Sequence, residues 1–534
     1  MPKRNIEFDT TDLELSRQSA PWLQRVAASR KGMVATAHFK ATEAARSILA
    51  KGGNAIDAAV CGAFALGVCE PAASGLGGQT MAMFYNAETS KTIAFDGSSR
   101  APHRVPPGEL RKKELLRGHK ATTVPSTPAV LAYLLKTYGT MSLSDVLKPV
   151  INLAEKGYKV TELKHALMQR ELKHLKAGTA SKFFLKNGRA YKVGAIFKQP
   201  VLAETLKRIA EVGVEDFYQG EIARDIHDDM VKNDGFIRDD DLAQIPWPIE
   251  RKPLACRFRG NKVLTFGEPG AGRTLVQMLN VAEKFSFEQF NPDTPKGALL
   301  LSEIIRRANL DRQDRPYDPN FYPQVQGKRM LTGEYADLVA KQIKKRIRSG
   351  KGDTTHLSVM DHKGNVISLT QSIERVYGSF SASPKLGFLY NNYMSAFEYK
   401  DITHPNYLRP AAVPWASVAP TIVFKGRKPW VAIGSPGSER IAPAILQVLM
   451  RLQYQSPYDS VASPRLHCSI KGKVSLEASR MRDDIPRLLK KYGFSIDPRN
   501  AYSFYLGSVQ LVMQDKKEFI GVADPRRDGS AGGP

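Results

Sequence analysis

A chain of 534 residues with 42% hydrophobic content is long enough to bury a sizeable core, and wholesale disorder is excluded. Its formal net charge of +25, from 78 Lys and Arg against 53 Asp and Glu, raises nucleic-acid binding as a class to be tested. Four cysteines exclude a disulfide framework, and their isolation gives no metal-ligand spacing. By length roughly three or four domains would be counted, although one large intertwined α/β unit is also allowed.

The first nine residues, Met1 to Asp9, hold no apolar run, so no secretory signal is expected and a reducing cytoplasm is the expected compartment. Thr42–Lys51 and Asn54–Cys69 read as helices, the second with a start signal at Asn54 and a stop at Pro71. The apolar stretch from Ala55 to Cys69 is too short, and too rich in Ala and Gly, to span a bilayer, so a buried helix is predicted. Cys61 and Cys69 stand eight residues apart on it, about 12 Å along the axis and too far to bridge. Ser142–Lys156, Leu299–Arg312 and Gly333–Arg346 are further predicted helices.

Asn261–Phe266, the loop Gly267-Glu268-Pro269-Gly270-Ala271-Gly272-Arg273-Thr274 and the helical Leu275–Lys284 approximate the strand, Gly-rich loop and helix of a phosphate-binding loop. Arg273 stands where lysine is expected, Pro269 lacks an N–H, and Glu268 puts negative charge where phosphate would sit. All three argue against a nucleotide. The sharpest basic cluster is Lys341, Lys344, Lys345, Arg346, Arg348 and Lys351. Helical spacing spreads its first members around a surface, and no aromatics are interleaved to stack bases. It reads as a solvated, mobile segment leading into Asp353, with a charge that would favour anionic substrates.

From Thr354 to Ser372 the chain reads as a β-hairpin. A three-residue loop, His362-Lys363-Gly364, would set Thr354 opposite Ser372, His356 opposite Thr370 and Ser358 opposite Ser368 on one face. Leu357 with Leu369 and Val359 with Ile367 then share the other. A two-residue loop would oppose aliphatic to polar positions along the whole ladder, so the three-residue register is preferred. It sets Ser372 about 5 Å from Thr354, Cβ to Cβ. If the chain were cut before Thr354, its hydroxyl and its own α-amine, with a reference pKa near ~8, would make a nucleophile and its base. An ordinary surface hairpin fits the local pattern as well. Strands near Thr421–Phe424 and Pro429–Ile433 supply more sheet, and no internal repeat or low-complexity segment is found before the Gly529–Pro534 tail.

The block from Thr354-Thr355-His356-Leu357-Ser358-Val359 through Gly364-Asn365 to Ser368-Leu369-Thr370-Gln371-Ser372 resembles the start of the small subunit of γ-glutamyltranspeptidases. Gly52-Gly53-Asn54-Ala55-Ile56-Asp57, Glu70-Pro71, Ser74-Gly75-Leu76-Gly77-Gly78, Asp240-Asp241-Leu242-Ala243, Leu331-Thr332-Gly333-Glu334-Tyr335-Ala336, Ala419-Pro420-Thr421, Gly434-Ser435-Pro436-Gly437 and Ala523-Asp524-Pro525-Arg526-Arg527-Asp528-Gly529 follow the same family order. The resemblance implies a four-layer αββα sandwich of the N-terminal-nucleophile hydrolases, one large unit cleaved into two intertwined subunits. Residues 1–32 would then be an N-terminal extension, 33–353 the large subunit and 354–534 the small subunit. It implies self-cleavage between Asp353 and Thr354, followed by attack of Thr354 on a small-molecule amide, with no cofactor and no metal. Ser372 stands where the family hydrogen-bonds the nucleophile, and Gly437 and Ser438 where backbone N–H groups hold the oxyanion.

Several positions depart from the family pattern. Ser98 stands where the family's arginine holds the donor α-carboxylate, with Arg100 two residues on. Ala396 stands where an acidic residue after the Asn391-Asn392 pair holds the α-amino group. Ala416 replaces one of two serines while Ser417 remains, and Glu374 replaces an asparagine that contacts the donor. Arg100, Glu374, Asn392 and Ser417 are therefore the candidate substrate-binding residues. With partners missing for both ends of a glutamyl zwitterion, altered acyl-donor specificity is expected. An ordinary γ-glutamyltransferase or glutathione hydrolase, and an inactive or nucleotide-binding basic protein on the same fold, are the alternatives.

Overall fold

The computed structural model describes residues 23–106, 110–111, 114–286, 290–313, 317–322, 327–343 and 355–534. Asp353, Thr354 and the basic cluster from Lys344 onward lie outside the described residues.

Among the described residues two seven-stranded antiparallel sheets face each other. The first runs Ser530–Gly532, Gly32–Thr36, Thr355–Asp361, Val366–Ser372, Gln79–Asn86, Lys91–Gly97, Ile249–Arg251. The second runs Val26–Ser29, Glu518–Ala523, Gln510–Asp515, Lys428–Gly434, Thr421–Lys425, Asn261–Thr265, Leu254–Phe258.

Strand periodicity separates three cores. Met33, Ala35, Met81 and Met83 of the first sheet meet Leu264, Ile422, Ala432 and Val512 of the second in a layer between the sheets. Their sequence neighbours turn outward. Val34, Ala82 and Phe84 pack with the helices Phe39–Ala50, Ala55–Cys69 and Thr127–Tyr138. Val263, Val423 and Val431 pack with Gly272–Ala282, Pro295–Gln313 and Ile441–Arg451. Helix, sheet, sheet, helix is thus the layer order, the αββα sandwich expected from the resemblance.

The predicted helix at Asn54 is Ala55–Cys69, and fourteen of its fifteen residues are buried. Asn54 caps it by accepting from the Ile56 and Asp57 N–H groups, while the Asp57 carboxylate accepts from the Asn54 N–H, so three otherwise orphaned donors are satisfied at one end. The chain packs into the fold before Met33. Val26–Ser29 is the edge strand of the second sheet, and Arg25 is buried with bonds to the Asp524, Arg527 and Gly529 carbonyls. So residues 23–32 of the expected 1–32 extension are part of the sandwich; a four-residue edge strand of small residues carries no alternation for sequence reading to detect.

The hairpin register is the one expected. Thr355 pairs with Gln371, His356 with Thr370, Leu357 with Leu369, Ser358 with Ser368 and Val359 with Ile367. Its hydroxyl face is also buried, because it points into the inter-sheet layer. There Ser368 Oγ donates to the Ile433 carbonyl and Ser358 Oγ to that of Gln510. Hydroxyls serve here as bridges between sheets.

Candidate active site

Strand Thr355–Asp361 opens the hairpin and Val366–Ser372 closes it, with Gln371 paired to Thr355. Ser372 is buried, and its Oγ accepts from the Glu374 N–H at 2.9 Å. Tyr393 lies near Ser372 and Gln79, and burial pushes its phenol well above its ordinary pKa, so it stays protonated. Gln79 Oε1 accepts in turn from the Ser99 N–H at 2.8 Å and the Ser99 hydroxyl at 2.9 Å. Asn392 secures the chain just past Ser372: its Oδ1 accepts from the Arg375 N–H at 3.1 Å, its N–H donates to the Ile373 carbonyl, and its Nδ2 donates to that of Leu116.

Thr355 is clamped from the other side. Its hydroxyl donates to Glu70 Oε2 at 2.5 Å, and Glu70 Oε1 receives Arg527 Nη1 at 2.5 Å. Glu70 caps the helix Ala55–Cys69 and Arg527 precedes the C-terminal strand, so three distant stretches of chain meet at this point. Both residues belong to quoted motifs, but nothing in the sequence joins them to Thr355.

Strand Lys428–Gly434 carries the third component. After it the chain turns through Gly437, at φ +119°, and Ser438, at φ +50°, into a short 3-10 turn and the helix Ile441–Arg451. A positive φ in serine costs about 1–3 kcal/mol and persists only where surroundings enforce it. Among the described residues, neither the Gly437 nor the Ser438 N–H has a hydrogen-bond partner. Two adjacent unengaged donors at a helix entrance suit a developing oxyanion.

His356 fixes the height of this turn above the hairpin. Its Nδ1 lies 2.8 Å from Thr370 Oγ1 and its Nε2 3.0 Å from Ser358 Oγ, and burial pushes its pKa down to about 3, so the ring is neutral. The ring lies so close under Gly434 that a Cβ there would come within 2.3 Å of it.

Ser417 Oγ lies 3.2 Å from Ser438 Oγ and accepts from Arg312 at 2.8 Å. The segment around Ser417 is braced by the Gly-rich loop: the Ala416 N–H donates to the Pro269 carbonyl and the Ala271 N–H to that of Val418. Arg273 pairs with Glu268 at 3.1 Å. A Cβ at Gly272 would meet the Phe266 carbonyl oxygen at 1.8 Å. The loop's glycines are thus explained by packing against the site, with no phosphate needed.

Glu374, at φ +76°, and Glu439 both lie near enough to Arg312 to act on its charge. Arg312 therefore links the Ser372 end of the hairpin with the Gly437 turn. Sequence reading placed it at the end of a helix and gave it no role. Arg100 shares a backbone bridge with Val124, and its guanidinium makes no hydrogen bond or ion pair among the described residues. Ser98 is committed elsewhere: its Oγ donates to Asp96 at 2.5 Å, and Asp96 pairs with Arg251 at 2.7 Å. Among the described residues no group of three or more His, Cys, Asp or Glu could hold a metal ion.

The family model for gamma-glutamyltranspeptidase matches residues 41–533. The chain belongs to the γ-glutamyltranspeptidase family. Its similarity to the glutathione hydrolase proenzyme of Escherichia coli (strain K12) is 32% identity over 93% of this chain and 91% of that protein. The acylase ACY 1 proenzyme of Pseudomonas sp. (strain V22) is 31% identical over 83% of each. Among solved structures, cephalosporin acylase from Bacillus halodurans superposes with a TM-score of 0.88 at 29% identity, covering 97% of this chain and 99% of that one. This member of the transpeptidase family is therefore an N-terminal-nucleophile hydrolase in fold and an enzyme of the hydrolase and acyltransferase class. Its relatives include proteins named glutathione hydrolases and proteins named acylases.

Proposed function

We propose that the protein is a precursor that cuts itself between Asp353 and Thr354 into a large subunit, 33–353 with its extension, and a small subunit, 354–534. In the first step Thr354 Oγ attacks the Asp353 carbonyl, the peptide nitrogen leaves as the new α-amine, and water hydrolyses the ester. In each later turnover the α-amine takes the hydroxyl proton while Oγ attacks the amide carbonyl of a donor. The Gly437 and Ser438 N–H groups hold the oxyanion, the donor's amine leaves, and water or an acceptor amine resolves the acyl-enzyme. Ser372 holds the nucleophilic oxygen. Asn392 acts by fixing the strand end that carries Ser372 and Glu374.

The observation that carries this reading is the pair of unengaged N–H donors at Gly437 and Ser438, which follow the strand whose last residue, Gly434, lies against the His356 ring. Acyl-donor specificity departs from γ-glutamyl, because Ser98 is consumed by Asp96 and Ala396 has no charge for an ammonium. The relative named a glutathione hydrolase supports a second reading, ordinary γ-glutamyl transfer, with Arg100 and Glu374 as the compensating contacts. Four free cysteines support action in the cytoplasm.

Two measurements test the proposal. Intact mass should show fragments 1–353 and 354–534, with Thr354→Ala remaining a single chain; active protein that stays uncut would sink the mechanism. A glutaryl anilide should exceed its γ-glutamyl analogue in kcat/KM, since the site no longer compensates the desolvation of the extra ammonium. A strong preference for the γ-glutamyl compound would put the second reading in its place.

A further inference from the structure

From Leu172 to Lys198 the chain carries six lysines and Arg189 without a single Asp or Glu, so a short stretch holds a large share of the formal net charge of +25. All seven cations are exposed, and among the described residues none of them makes an ion pair. By contrast Lys207 pairs with Glu155, Lys284 with Asp337 and Lys385 with Asp225.

The stretch is folded onto the rest of the protein. Helices Leu172–Ala177 and Ser181–Phe184 are followed by a tight turn in which Lys186 pairs with Arg189 across Asn187, at φ +51°, and Gly188, at φ +71°. It is tied to the loop after Ser372, where the Ala180 N–H donates to the Phe380 carbonyl at 3.3 Å and the Thr179 hydroxyl to that of Ala382 at 3.0 Å. Helices and turn line an open cleft of about 460 Å³, whose walls hold Lys176, Lys182 and Lys186 together with Ser181, Asn187 and Tyr191. A Cβ at Gly188 would stand 4.0 Å from Lys176 Cε, so the turn lies against the first helix. Like charges gathered on a fixed scaffold repel one another, and an anionic partner relieves that repulsion.

Two features choose the partner. Six of the seven cations are lysine, a compact point charge on a flexible stem, whereas the planar fork of arginine is the one suited to reading nucleic acid. The stretch also exposes aliphatic side chains, Val193 at 53% and Ile196 at 49%, shortly after Tyr191 on the cleft wall. Aliphatic chains give bases no stacking platform, but they enter the boundary between lipid headgroups and acyl chains. Lysine stems can lie along that boundary while their ammonium groups stay with the phosphates.

We propose that the surface from Leu172 to Lys198 docks the protein on an anionic phospholipid bilayer, with phosphate headgroups among Lys176, Lys182 and Lys186 and with Val193 and Ile196 at the acyl boundary. Docking is independent of acyl transfer, since neither Thr354 nor the Gly437 turn takes part in it.

Co-sedimentation of the full chain with vesicles tests this. Vesicles of phosphatidylglycerol and phosphatidylcholine should carry the protein down, and vesicles of phosphatidylcholine alone should leave it in solution. Lys176→Gln, Lys182→Gln and Lys186→Gln combined should weaken binding to the anionic vesicles about 100-fold. Val193→Ser with Ile196→Ser should weaken it about tenfold. Lys425→Gln, Lys516→Gln and Lys517→Gln combined remove the same charge from exposed turns of the second sheet. That control should stay within about twofold of wild type, because charges beyond a Debye length of about 8 Å are screened. Protein left in solution by anionic vesicles, or carried down equally by both kinds, would overturn the proposal. So would a control weakened as much as the cleft variant, which would reduce the effect to net charge. A single-stranded oligonucleotide held by the three cleft lysines, with no binding to anionic vesicles, would put a nucleic acid on this surface in place of the bilayer.

Discussion

The hydroxyl of Thr355 donates to Glu70 across 2.5 Å, and Glu70 is held at the same distance by Arg527. This clamp fixes Thr355, the residue that follows the proposed nucleophile in sequence. Proximity of this kind governs intramolecular attack more than intrinsic reactivity does. Glu70→Gln should slow self-cleavage by roughly 5- to 100-fold through loss of charge-assisted bonds, read as band conversion on a denaturing gel. Unchanged kinetics in Glu70→Gln would show that the clamp serves only the finished fold.

Ser372 is expected to support the nucleophile through its hydroxyl. Ser372→Ala should lose roughly 1–3 kcal/mol of stabilisation in processing or turnover, and Ser372→Thr should be tolerated. Rates for the alanine variant equal to wild type would remove Ser372 from the site.

At Gly434 a methyl group has no room above the His356 ring. Gly434→Ala should cost about 1–3 kcal/mol of stability, and kcat should fall further as the Gly437 turn is displaced. A denaturant midpoint and kcat both matching wild type would show that the ring and the turn move independently.

Burial holds the pKa of His356 down to about 3 and that of His38 down to about 4. His38 caps the helix Phe39–Ala50 by accepting from the Lys40 N–H at Nδ1, which a protonated ring could not do. In the unfolded chain each titrates near ~6.5. Below that pH the unfolded state takes up protons that the folded state refuses. Stability fully present above ~6.5 is therefore lost as pH falls toward the folded values, by about 1.4 kcal/mol per histidine per unit. Denaturant midpoints between about pH 7 and pH 5 should show this slope, and His356→Asn should roughly halve it, leaving the share of His38. A flat profile in the wild type would mean that these rings are charged in the fold.

The hairpin was legible because period-two alternation over seven-residue strands, closed at Gly364, leaves only one register that sorts hydroxyls from aliphatics. The helix at Asn54 was legible from its cap and its stop. Other features were not. Val26–Ser29 is an edge strand whose small residues have no pattern to show. Arg312 sits in a run with Arg306 and Arg307, and from sequence it differs in nothing from a cation on a wet helix face. Its meaning comes from Ser417, 105 positions away. The Glu70, Thr355 and Arg527 contact likewise spans 457 positions at its longest reach, and only the closing of the first sheet brings its members together. The roles of Gly437 and Ser438 came from resemblance, because Gly434-Ser435-Pro436-Gly437 on composition is a turn like any other.

The order of strands in the two sheets changes what a cut at residue 353 would mean for the molecule as a material object. In the first sheet Gly32–Thr36 lies between Ser530–Gly532 and Thr355–Asp361, and in the second Val26–Ser29 and Asn261–Thr265 flank strands drawn from beyond residue 420. Sequence from both sides of position 353 alternates across both sheets, so the peptide bond there contributes almost nothing to cohesion in the folded state. Its loss would be felt only on unfolding. The intact precursor folds and unfolds as a single molecule at any dilution, whereas the cut form regains its structure only when two chains meet, and its midpoint becomes a function of concentration. Cleavage would turn a reversible unimolecular equilibrium into a bimolecular one, and a damaged mature enzyme would have far less chance of repair than its own precursor.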